Sequence, residues 1–283
     1  MMLQFTKMQG AGNDFIVLDA TRQKFVLGSK DIQRLADRHY GIGFDQLLVV
    51  EPSSRADADF KYRIFNADGA EVQMCGNGAR CFAVFVYSHG LTLKRRIRVE
   101  TLAGIIEPEI LENGTVRVDM GHACFDSKKV PFLSDDFESE AQPGGAALYR
   151  TKIGSEIVQF GVVSMGNPHA VCFVDDAESV DIEKYGFALQ HSGAFPEGVN
   201  VGFLQVLSQT EAILRVYERG VGETLACGTG ACAAFSLANQ CGFLSSRATM
   251  HMRGGDLVGE LSINSHIFLS GPAVCVFEGS VQI

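Results

Sequence analysis

The feature of this sequence that most constrains its fold is an internal repeat. Residues 63–79 can be laid over residues 215–231 without a gap, at a constant separation of 152 residues. Six identities coincide in this overlay: Arg63 with Arg215, Glu71 with Glu223, Cys75 with Cys227, Gly76 with Gly228, Gly78 with Gly230, and Ala79 with Ala231. A chain that repeats itself builds the same supersecondary unit more than once. The repeat therefore predicts two homologous domains.

A weaker form of the repeat lies upstream of each cysteine. Gly12-Asn13 falls on Gly166-Asn167, and Gln46 falls on Asn200, at a separation of 154 residues. The length of 283 residues also suits two domains, since a domain averages roughly 150 residues. Between the halves, the acidic, turn-rich stretch 134–145, with its Pro143-Gly144-Gly145 run, predicts an exposed loop. The boundary is expected between about 120 and 150.

Both repeats are predicted to run strand, glycine loop, helix. The residues after Cys75 and Cys227 are apolar on every side, which is typical of a helix enclosed by other structure. Gly90 and Gly242 each follow the cysteine by 15 residues, where a glycine would end the helix. Elsewhere the pattern predicts an amphipathic helix from Asp31 to about Tyr40, with Ser29 near its N-cap and Gly41 at its end, and strands at 97–102, at 115–120 after an Asn113-Gly114 turn, and at 261–269.

The composition excludes several classes of function. The net charge is −9 and no basic block is longer than Lys94-Arg95-Arg96, so no nucleic-acid or anionic membrane partner is expected. The uncharged run 224–246 is diluted by glycine, asparagine and glutamine, which predicts a buried soluble segment. No basic head followed by an apolar core opens the chain, so the cytoplasm is the expected compartment. Eight cysteines without a CxxC pair predict reduced thiols.

The repeated loops carry the candidate chemistry. A cysteine just before a helix can be held as a thiolate by the helix N-terminus, and the Gly-x-Gly that follows exposes backbone N–H groups able to hold an anion such as a carboxylate. The alternative is that Cys75 and Cys227 are inert buried thiols beside tight turns. For one loop the two interpretations are evenly balanced. Two loops in register favour a paired, functional use.

Two thiols at two helix N-termini suit a racemase that uses two bases. One sulfur would remove an α-proton while the other delivers a proton to the opposite face, and the helix N-termini would meet the charge that develops on the carboxylate. Contact of both sulfurs with one carbon requires about 3 to 3.5 Å on each side, so the sulfurs are expected about 7 Å apart in the liganded site.

Seven motifs, taken in order, resemble the diaminopimelate epimerase family across nearly the whole chain. They are residues 10–15 (GAGNDF), 44–46 (FDQ), 65–69 (FNADG), 75–81 (CGNGARC), 165–169 (MGNPH), 218–220 (ERG) and 226–232 (ACGTGAC). The resemblance implies an α/β fold of the α+β type, with two pseudo-symmetric domains that each wrap a mixed sheet or barrel around a central helix. The implied domains are 1–120, completed by a C-terminal strand at 273–283, and 121–272. It further implies a cytoplasmic homodimer that interconverts LL- and meso-diaminopimelate in lysine and peptidoglycan precursor synthesis, with no cofactor and no metal.

The resemblance also assigns roles to individual residues. The family's catalytic pair corresponds to Cys75 and Cys227. The residues that adjust the pKa of these cysteines correspond to His169 and Glu218. Phe277 falls where the family has a dimer-contact tyrosine, and it lacks the hydroxyl of that tyrosine. The substrate-binding set falls on Asn13, Gln46, Asn66, Gly76, Asn77, Asn167, Asn200, Glu218, Arg219, Gly228 and Thr229. Amides, a carboxylate and a guanidinium suit a substrate with two amino-acid ends.

Each of these assignments has a simpler alternative. Asparagines beside turns often satisfy their own backbone, although the matched positions in the two halves favour a site. Glu218-Arg219 could be a surface ion pair, His169 a satisfied structural histidine, and Phe277 a core residue. Packing is the expected role of the remaining six cysteines: Cys81, Cys124, Cys172, Cys232, Cys241 and Cys275.

Four other functions stay open at this point. A redox sensor would also use reactive thiols, with a Cys75–Cys227 bridge as its signal. A proline or hydroxyproline racemase would use the same two thiols, but it needs no distal set such as Glu218-Arg219. A pyridoxal-phosphate racemase would need a lysine in the glycine loops, and none lies there. A metal-binding module is weaker, because no ligand cluster has suitable spacing.

Overall fold

A computed structural model describes residues 2–142 and 144–283. The chain divides into two compact units. Unit 1 contains the residues up to Asp119 together with Ser270–Ile283, and unit 2 contains Met120–Leu269. None of the helices in the described ranges is long and apolar enough to span a membrane.

Unit 1 is a mixed sheet with one long helix and one short helix. The sheet runs in the order β20-β1-β2-β3-β4-β6-β7, with β5 paired to β4, while β8 pairs antiparallel with β9 outside this sheet. The elements are β1 (Met2–Gly10), β2 (Asn13–Asp19), α1 (Ser29–Ala36), β3 (Gln46–Pro52), β4 (Phe60–Asn66), β5 (Glu71–Val72), α2 (Gly76–Ser88), β6 (Val99–Thr101), β7 (Gly104–Ile106), β8 (Glu109–Ile110), β9 (Val116–Asp119) and β20 (Val274–Gln282).

Unit 2 repeats this plan with longer strands. Its sheet runs in the order β10-β11-β12-β13-β14-β15-β17-β18-β19, with β16 paired to β15. The elements are a 3-10 turn (Ser134–Asp136), β10 (Glu138–Ala141), β11 (Ala147–Ile153), β12 (Glu156–Ser164), β13 (Pro168–Phe173), α3 (Ile182–Gln190), β14 (Asn200–Ser208), β15 (Glu211–Glu218), β16 (Gly222–Thr224), α4 (Gly228–Gln240), β17 (Arg247–Met252), β18 (Gly255–Leu261) and β19 (Ile267–Gly271).

The strand register confirms the repeat residue by residue. Ile64 pairs with Val72 in unit 1, and the residues 152 positions later, Val216 and Thr224, pair in unit 2. Each half also places one arginine and one glutamate across these strands as a two-pronged ion pair. The Arg63 Nε–Glu71 Oε1 distance is 2.7 Å, and the Arg215 Nε–Glu223 Oε1 distance is 2.8 Å. The sequence identities therefore mark equivalent structural positions.

The two long helices are enclosed, as their apolar sequences predict. α2 and α4 have 13 residues each and begin directly after Cys75 and Cys227, which are their N-caps. Gly90 and Gly242 follow the helix ends with φ values of 66° and 78°, a left-handed conformation that favours glycine. α2 packs on strands β1, β2 and β3, and α4 packs on β12 to β15 and on β17 and β18. The short helices α1 and α3 pack on separate apolar clusters.

Several local predictions from the sequence are wrong. α1 begins at Ser29 with Gly28 as its N-cap and ends at Ala36, because the chain turns back so that the N–H groups of Ile42 and Gly43 bind the carbonyl of Leu35. The strand predicted at 261–269 is interrupted: residues 262–266 form a turn between β18 and β19, where Ser265 has a φ of 60°, and residues 267–269 lie in β19. The predicted loop at 134–145 contains β10, whose residues are exposed, and Pro143 lies outside the described residues.

Candidate active site

Cys75 lies at the point where β5 gives way to α2 in unit 1. Its backbone is extended, with φ −136° and ψ 124°, and its carbonyl accepts the first helical hydrogen bond from Ala79 at 2.8 Å. Gly76, Asn77 and Gly78 form the buried first turn of the helix. N–H groups in a first turn have no partner within the helix, and they carry the positive end of its dipole. The loop can therefore hold an anion beside the Cys75 sulfur.

The fit of this loop depends on Gly78. A Cβ at this position would lie 2.5 Å from the Tyr62 hydroxyl oxygen and 3.3 Å from Leu48. The Tyr62 side chain is 2% exposed, and its hydroxyl has no hydrogen-bond partner among the described residues. Burial raises the pKa of Tyr62 well above its ordinary value, and the neighbouring Cys75 adds to this rise. The phenol therefore lies under the first turn as a neutral group.

Cys227 has the same backbone setting in unit 2. It has φ −124° and ψ 115°, and its carbonyl accepts from the N–H of Ala231 at 2.9 Å. Cys227 is 6% exposed. Burial raises the pKa of the Cys227 thiol well above its ordinary value of 9.0, and the negative charge of Glu218 raises it further. Hydrogen bonds from the Thr229 hydroxyl and the Gly230 N–H lower it in part. Cys227 is therefore a thiol, not a thiolate, at neutral pH.

A chain of hydrogen bonds connects His169 to Cys227. His169 Nε2 donates to Asn167 Oδ1 at 3.0 Å, and Asn167 Nδ2 donates to Thr229 Oγ1 at 3.4 Å. Thr229 Oγ1 also lies 3.6 Å from Cys227 Sγ, within hydrogen-bonding distance of the thiol. His169 therefore reaches the thiol through two intervening side chains, not by direct contact.

His169 is uncharged in this position. It is 1% exposed, and burial lowers its pKa from 6.5 to about 3, with the positive charge of Arg219 acting in the same direction. Its partner across the parallel strands is Asn200, just as Gln46 is the partner of Phe15 in unit 1. A neutral imidazole with Nε2 protonated fixes the orientation of the Asn167 amide.

Glu218 and Arg219 lie at the end of β15. Thr224 Oγ1 donates to Glu218 Oε1 at 2.6 Å, and Asn200 Oδ1 accepts from the backbone N–H of Arg219 at 2.9 Å. The Arg219 side chain crosses Gly198, where a Cβ would lie 2.5 Å from its Cδ. The guanidinium donates from one nitrogen to the carbonyl of Glu197, and its remaining N–H groups, on an exposed residue, can bind a carboxylate.

Asn13, Gln46 and Asn66 form the corresponding group in unit 1. Gln46 Nε2 donates to Asn66 Oδ1 at 2.8 Å. Asn13 follows a two-residue hairpin in which Ala11 and Gly12 have φ values of 53° and 81°. The side-chain oxygens of three residues are buried without a hydrogen-bond partner among the described residues: Asn13 Oδ1, Gln46 Oε1 and Asn77 Oδ1. Such acceptors are expensive to bury unless a ligand supplies the donor.

The structure places the remaining sequence-selected residues away from these groups. Phe277 lies on β20, is 47% exposed and packs edge-on against Phe5. Of the six other cysteines, Cys81, Cys172, Cys232 and Cys241 are buried. The packing role predicted for Cys275 is wrong, since this residue is exposed on β20. All eight cysteines, each of which lies in the described residues, are free of disulfide bonds. No three histidine, cysteine, aspartate or glutamate side chains in residues 2–142 and 144–283 converge as a metal site.

Sequence reasoning missed some residues that surround these groups. Tyr62 lies against Gly78 of the first cysteine loop, and Thr224 donates a hydrogen bond to Glu218. Lys7 and Arg38 form ion pairs with Asp14, the residue that follows Asn13. Arg80 is fully buried in α2 and donates from Nε to the carbonyl of Pro272 at 3.2 Å. Only the position of Arg80 inside an apolar helix could have signalled its role, because a buried arginine needs partners that lie far away in sequence.

Solved structures establish the class of this fold. A phenazine biosynthesis protein of the PhzF family from Bacillus anthracis has a TM-score of 0.69 at 18% identity, covering 100% of both chains. A hydroxyproline epimerase from Agrobacterium vitis has a TM-score of 0.66 at 14% identity, covering 99% of this chain and 92% of that chain. The predicted class is confirmed: an α/β molecule with the diaminopimelate epimerase-like fold.

Sequence comparison gives the family. The diaminopimelate epimerase family model matches residues 5–125 and 161–276. The diaminopimelate epimerase of Chromobacterium violaceum is 50% identical over 284 aligned positions, covering 100% of both chains. That of Acinetobacter baylyi is 48% identical, covering 100% of this chain and 98% of the relative. The chain belongs to the diaminopimelate epimerase family.

Proposed function

We propose that this protein is a cofactor-independent isomerase that interconverts LL-2,6-diaminopimelate and meso-2,6-diaminopimelate. The observation that carries the proposal is the paired cysteine loop: Cys75 and Cys227 are the N-caps of two helices of equal length, in equivalent settings within a member of this family. The reaction supplies an intermediate of lysine and peptidoglycan precursor synthesis.

The proposed chemistry transfers one proton to each side of one carbon. In one direction the Cys75 thiolate takes the α-proton, and the electron pair of the broken C–H bond moves toward the α-carboxylate. The Cys227 S–H bond then breaks as its proton forms a new C–H bond on the opposite face. The reverse direction exchanges the two roles. The raised pKa of Cys227 supports its part as the acid, since it holds a proton at neutral pH.

The proposed site stabilises the carboxylate with backbone groups. The first-turn N–H groups of α2 and α4, at Gly76, Asn77, Gly228 and Thr229, would meet the negative charge that develops on its oxygens. These groups belong to buried helix starts and need no reorganisation. Electrostatic stabilisation of this type is worth about 3 to 4 kcal/mol per donor in other enzymes.

The proposed site recognises the second end of the substrate with side chains. The Arg219 guanidinium suits a carboxylate, and Glu218 suits an ammonium group. The amides of Asn13, Gln46, Asn66, Asn167 and Asn200 would complete the hydrogen bonds. This set favours diaminopimelate over proline, which has no second amino-acid end.

We also propose the assembly and location of the enzyme. The exposed apolar residues Val274, Val276 and Phe277 lie on β20, an edge strand of its sheet, and an exposed apolar edge favours coverage by a second copy of the chain. Light scattering that gives the mass of one 30.6 kDa chain would contradict the homodimer.

The proposed compartment is the cytoplasm, where eight reduced thiols are ordinary. The two domains are proposed as 1–120 with 273–283, and 121–272.

Proton NMR in D2O tests the proposed function. The protein, kept reduced and without added cofactor, is expected to convert LL-diaminopimelate to the meso isomer with loss of the α-proton signal at the inverted centre. Cys75→Ala and Cys227→Ala should each abolish inversion, because each removes the acid or the base from one face. Turnover of proline instead would favour a proline racemase, and near-normal inversion by either variant would refute the two-thiol scheme.

A further inference from the structure

Four charged side chains in unit 1 form one cluster. Lys7 Nζ donates to Asp14 Oδ2 and to the carbonyl of Gly43. Arg38 donates to both oxygens of Asp14, at 3.0 and 2.8 Å, and to Asp45 Oδ1 at 2.7 Å. The side chains of Lys7 and Asp14 are 11% and 17% exposed, whereas those of Arg38 and Asp45 are about half exposed. Burial raises the pKa of Asp14, but the bonds from Arg38 and Lys7 overcome this and hold it well below 3.8.

The two carboxylates also bind each other's backbone. The Asp14 N–H donates to Asp45 Oδ2 at 3.1 Å, and the Asp45 N–H donates to Asp14 Oδ1 at 3.0 Å. A third bond joins the Asp45 N–H to the Asp14 carbonyl at 3.0 Å. These reciprocal bonds fix the relative position of two chain segments at the points where β2 and β3 begin.

The fixed segments carry two candidate substrate residues. Asn13 directly precedes Asp14, and Gln46 directly follows Asp45. β2 and β3 are parallel here, with Phe15 opposite Gln46, so both amides leave the same end of the strand pair. Their oxygens, Asn13 Oδ1 and Gln46 Oε1, are buried without a partner among the described residues. Two unmatched acceptors at the same end of one strand pair suit a donor with several hydrogens, and an ammonium group has three.

Unit 2 shows that the strand pair itself does not require this cluster. β13 and β14 repeat the parallel pairing, with His169 opposite Asn200. At the positions that correspond to Asp14 and Asp45, 154 residues later, unit 2 has Pro168 and the fully buried Val199. The same local fold is therefore built once with charges and once without them. A purely structural need would apply to both halves.

We propose that Lys7, Asp14, Arg38 and Asp45 act as positioning residues, which hold the Asn13 and Gln46 amide oxygens in place to accept hydrogen bonds from an ammonium group of the substrate. The inference rests on the proposed function, which supplies a substrate with two ammonium groups. None of the four side chains needs to touch the substrate. Their effect passes through the backbone at residues 13–14 and 45–46.

Arg38→Gln is the variant that tests this role, because Arg38 is half exposed and its loss leaves the Lys7–Asp14 pair intact. We expect KM for diaminopimelate to rise about tenfold, as displaced positioning groups cause, with kcat changed less than about threefold. Arg38→Lys should recover part of the loss, because lysine restores the charge without the two-pronged geometry. The melting temperature of each variant is measured to confirm that it is folded.

The chain offers a matched control in Arg55→Gln. Arg55 also grips an aspartate with two bonds, to Asp57 at 2.9 and 3.0 Å, and it is 51% exposed, compared with 54% for Arg38. Its pair lies in the same unit but contacts none of the candidate substrate residues. We expect KM and kcat of this control to stay within about twofold of the unsubstituted protein.

A double-variant cycle decides whether Arg38 acts through the amides. In the Gln46→Ala background, Arg38→Gln should raise KM by less than about threefold, since residues that act through one another are not additive. A full tenfold rise in that background, or no rise in the unsubstituted background, would overturn the inference.

A second readout separates this inference from the proposed function. The Gln46 side-chain NH2 signals in a 15N spectrum of the unliganded protein should move in Arg38→Gln and stay in place in Arg55→Gln. If the unsubstituted protein does not convert diaminopimelate, the proposed function fails. The NMR signals then decide the positioning role alone, since unmoved signals overturn it and moved signals support it.

Discussion

At the scale of single residues, the two halves share a backbone but not the side chains that set protonation. Cys75 and Cys227 are N-caps with nearly equal dihedral angles. The positions that match Glu218 and Thr229 in unit 1 are Asn66 and Asn77, which are uncharged. The two halves therefore share the cysteines and the glycine turns, whereas the position of Glu218 carries a charge in unit 2 only. The proposed acid–base couple requires a difference of this kind between its two thiols.

Two substitutions should move the pKa of Cys227 in opposite directions. Glu218→Gln removes a negative charge that raises this pKa, so the pKa should fall. Thr229→Val removes a hydrogen bond that lowers it, so the pKa should rise. The measurement is the rate of alkylation at Cys227 against pH, followed by peptide mass spectrometry. The midpoint is expected at lower pH for Glu218→Gln and at higher pH for Thr229→Val.

The buried Cys172 supplies the control for this experiment. Burial alone raises its pKa to about 12, and neither substitution touches it, so its alkylation profile should not change. Shifts of the same sign in both variants would contradict the electrostatic account of Cys227.

The sequence predicts the chemistry of the cysteine loops but not their surroundings. Cys-Gly-x-Gly before an apolar run is a local signal, because thiol, turn and helix lie within a few residues of each other. The relay from His169 to Cys227 depends on the bond between Asn167 and Thr229, which lie 62 positions apart, and this bond forms only once β13 and α4 are packed. Partners that meet through tertiary packing leave no periodic trace in a single sequence.

At the scale of elements, the long helices depend on close contacts at glycine. Gly78 of α2 lies against Tyr62 of β4. In the same way Gly161 of β12 lies against Leu237 of α4, where a Cβ on the glycine would lie 2.5 Å from the leucine side chain. Interiors are packed so tightly that one added methyl group is felt. These glycines therefore set how near each helix can approach its sheet.

Gly78→Ala should destabilise unit 1 by about 1 to 3 kcal/mol, because the new methyl group overlaps the rigid Tyr62 phenol. Tyr62→Phe removes a buried hydroxyl without a hydrogen-bond partner among the described residues, so its own effect should be near zero or stabilising. Together, the two substitutions should recover much of the loss. Urea unfolding of the two single variants and the double variant measures this coupling.

Additive free energies of unfolding would show that the overlap with the hydroxyl is not the cause. Gly90→Ala is a useful comparison, since nothing lies within 4 Å of a Cβ there and only the left-handed φ of 66° opposes it. Its cost is expected to be conformational and therefore independent of Tyr62.

Element boundaries were predicted best where the pattern is long. α2 and α4 each present 13 residues with a capping cysteine and a terminal glycine, so both ends are marked. α1 has eight residues, and its predicted extension to Tyr40 failed because the chain reverses after Ala36 to bring Asp45 against Asp14. Ala11, at φ 53°, gave no sequence signal either, since glycine and asparagine are the usual residues there.

At the scale of the whole molecule, the duplicated plan was predictable and the use of charge was not. The repeat gives two units because matched residues occupy matched registers, as Arg63–Glu71 and Arg215–Glu223 show. The ionic cluster in unit 1 and the neutral histidine in unit 2 have no counterparts in the other half. Both couple the free energy of unfolding to pH, but in different ranges. Asp14 makes the free energy of unfolding fall only below its ordinary pKa of 3.8, where the carboxyl of the unfolded chain takes up a proton.

The buried His169 should make the protein lose stability as the pH falls below 6.5. In the folded state its pKa is about 3, so the imidazole stays neutral, whereas the unfolded chain binds a proton below 6.5. Unfolding then takes up a proton, and the free energy of unfolding should fall by about 1.4 kcal/mol per pH unit between roughly pH 6 and 4 from this residue. His169→Gln retains a side-chain donor toward Asn167 but does not titrate, so this part of the slope should disappear. Urea unfolding at pH 4.5, 5.5 and 6.5 measures it, and the exposed His39→Gln is expected to keep the slope of the unsubstituted protein. Equal slopes for His169→Gln and the unsubstituted protein would mean that the imidazole is charged in the folded state, and the relay to Cys227 would then carry a positive charge.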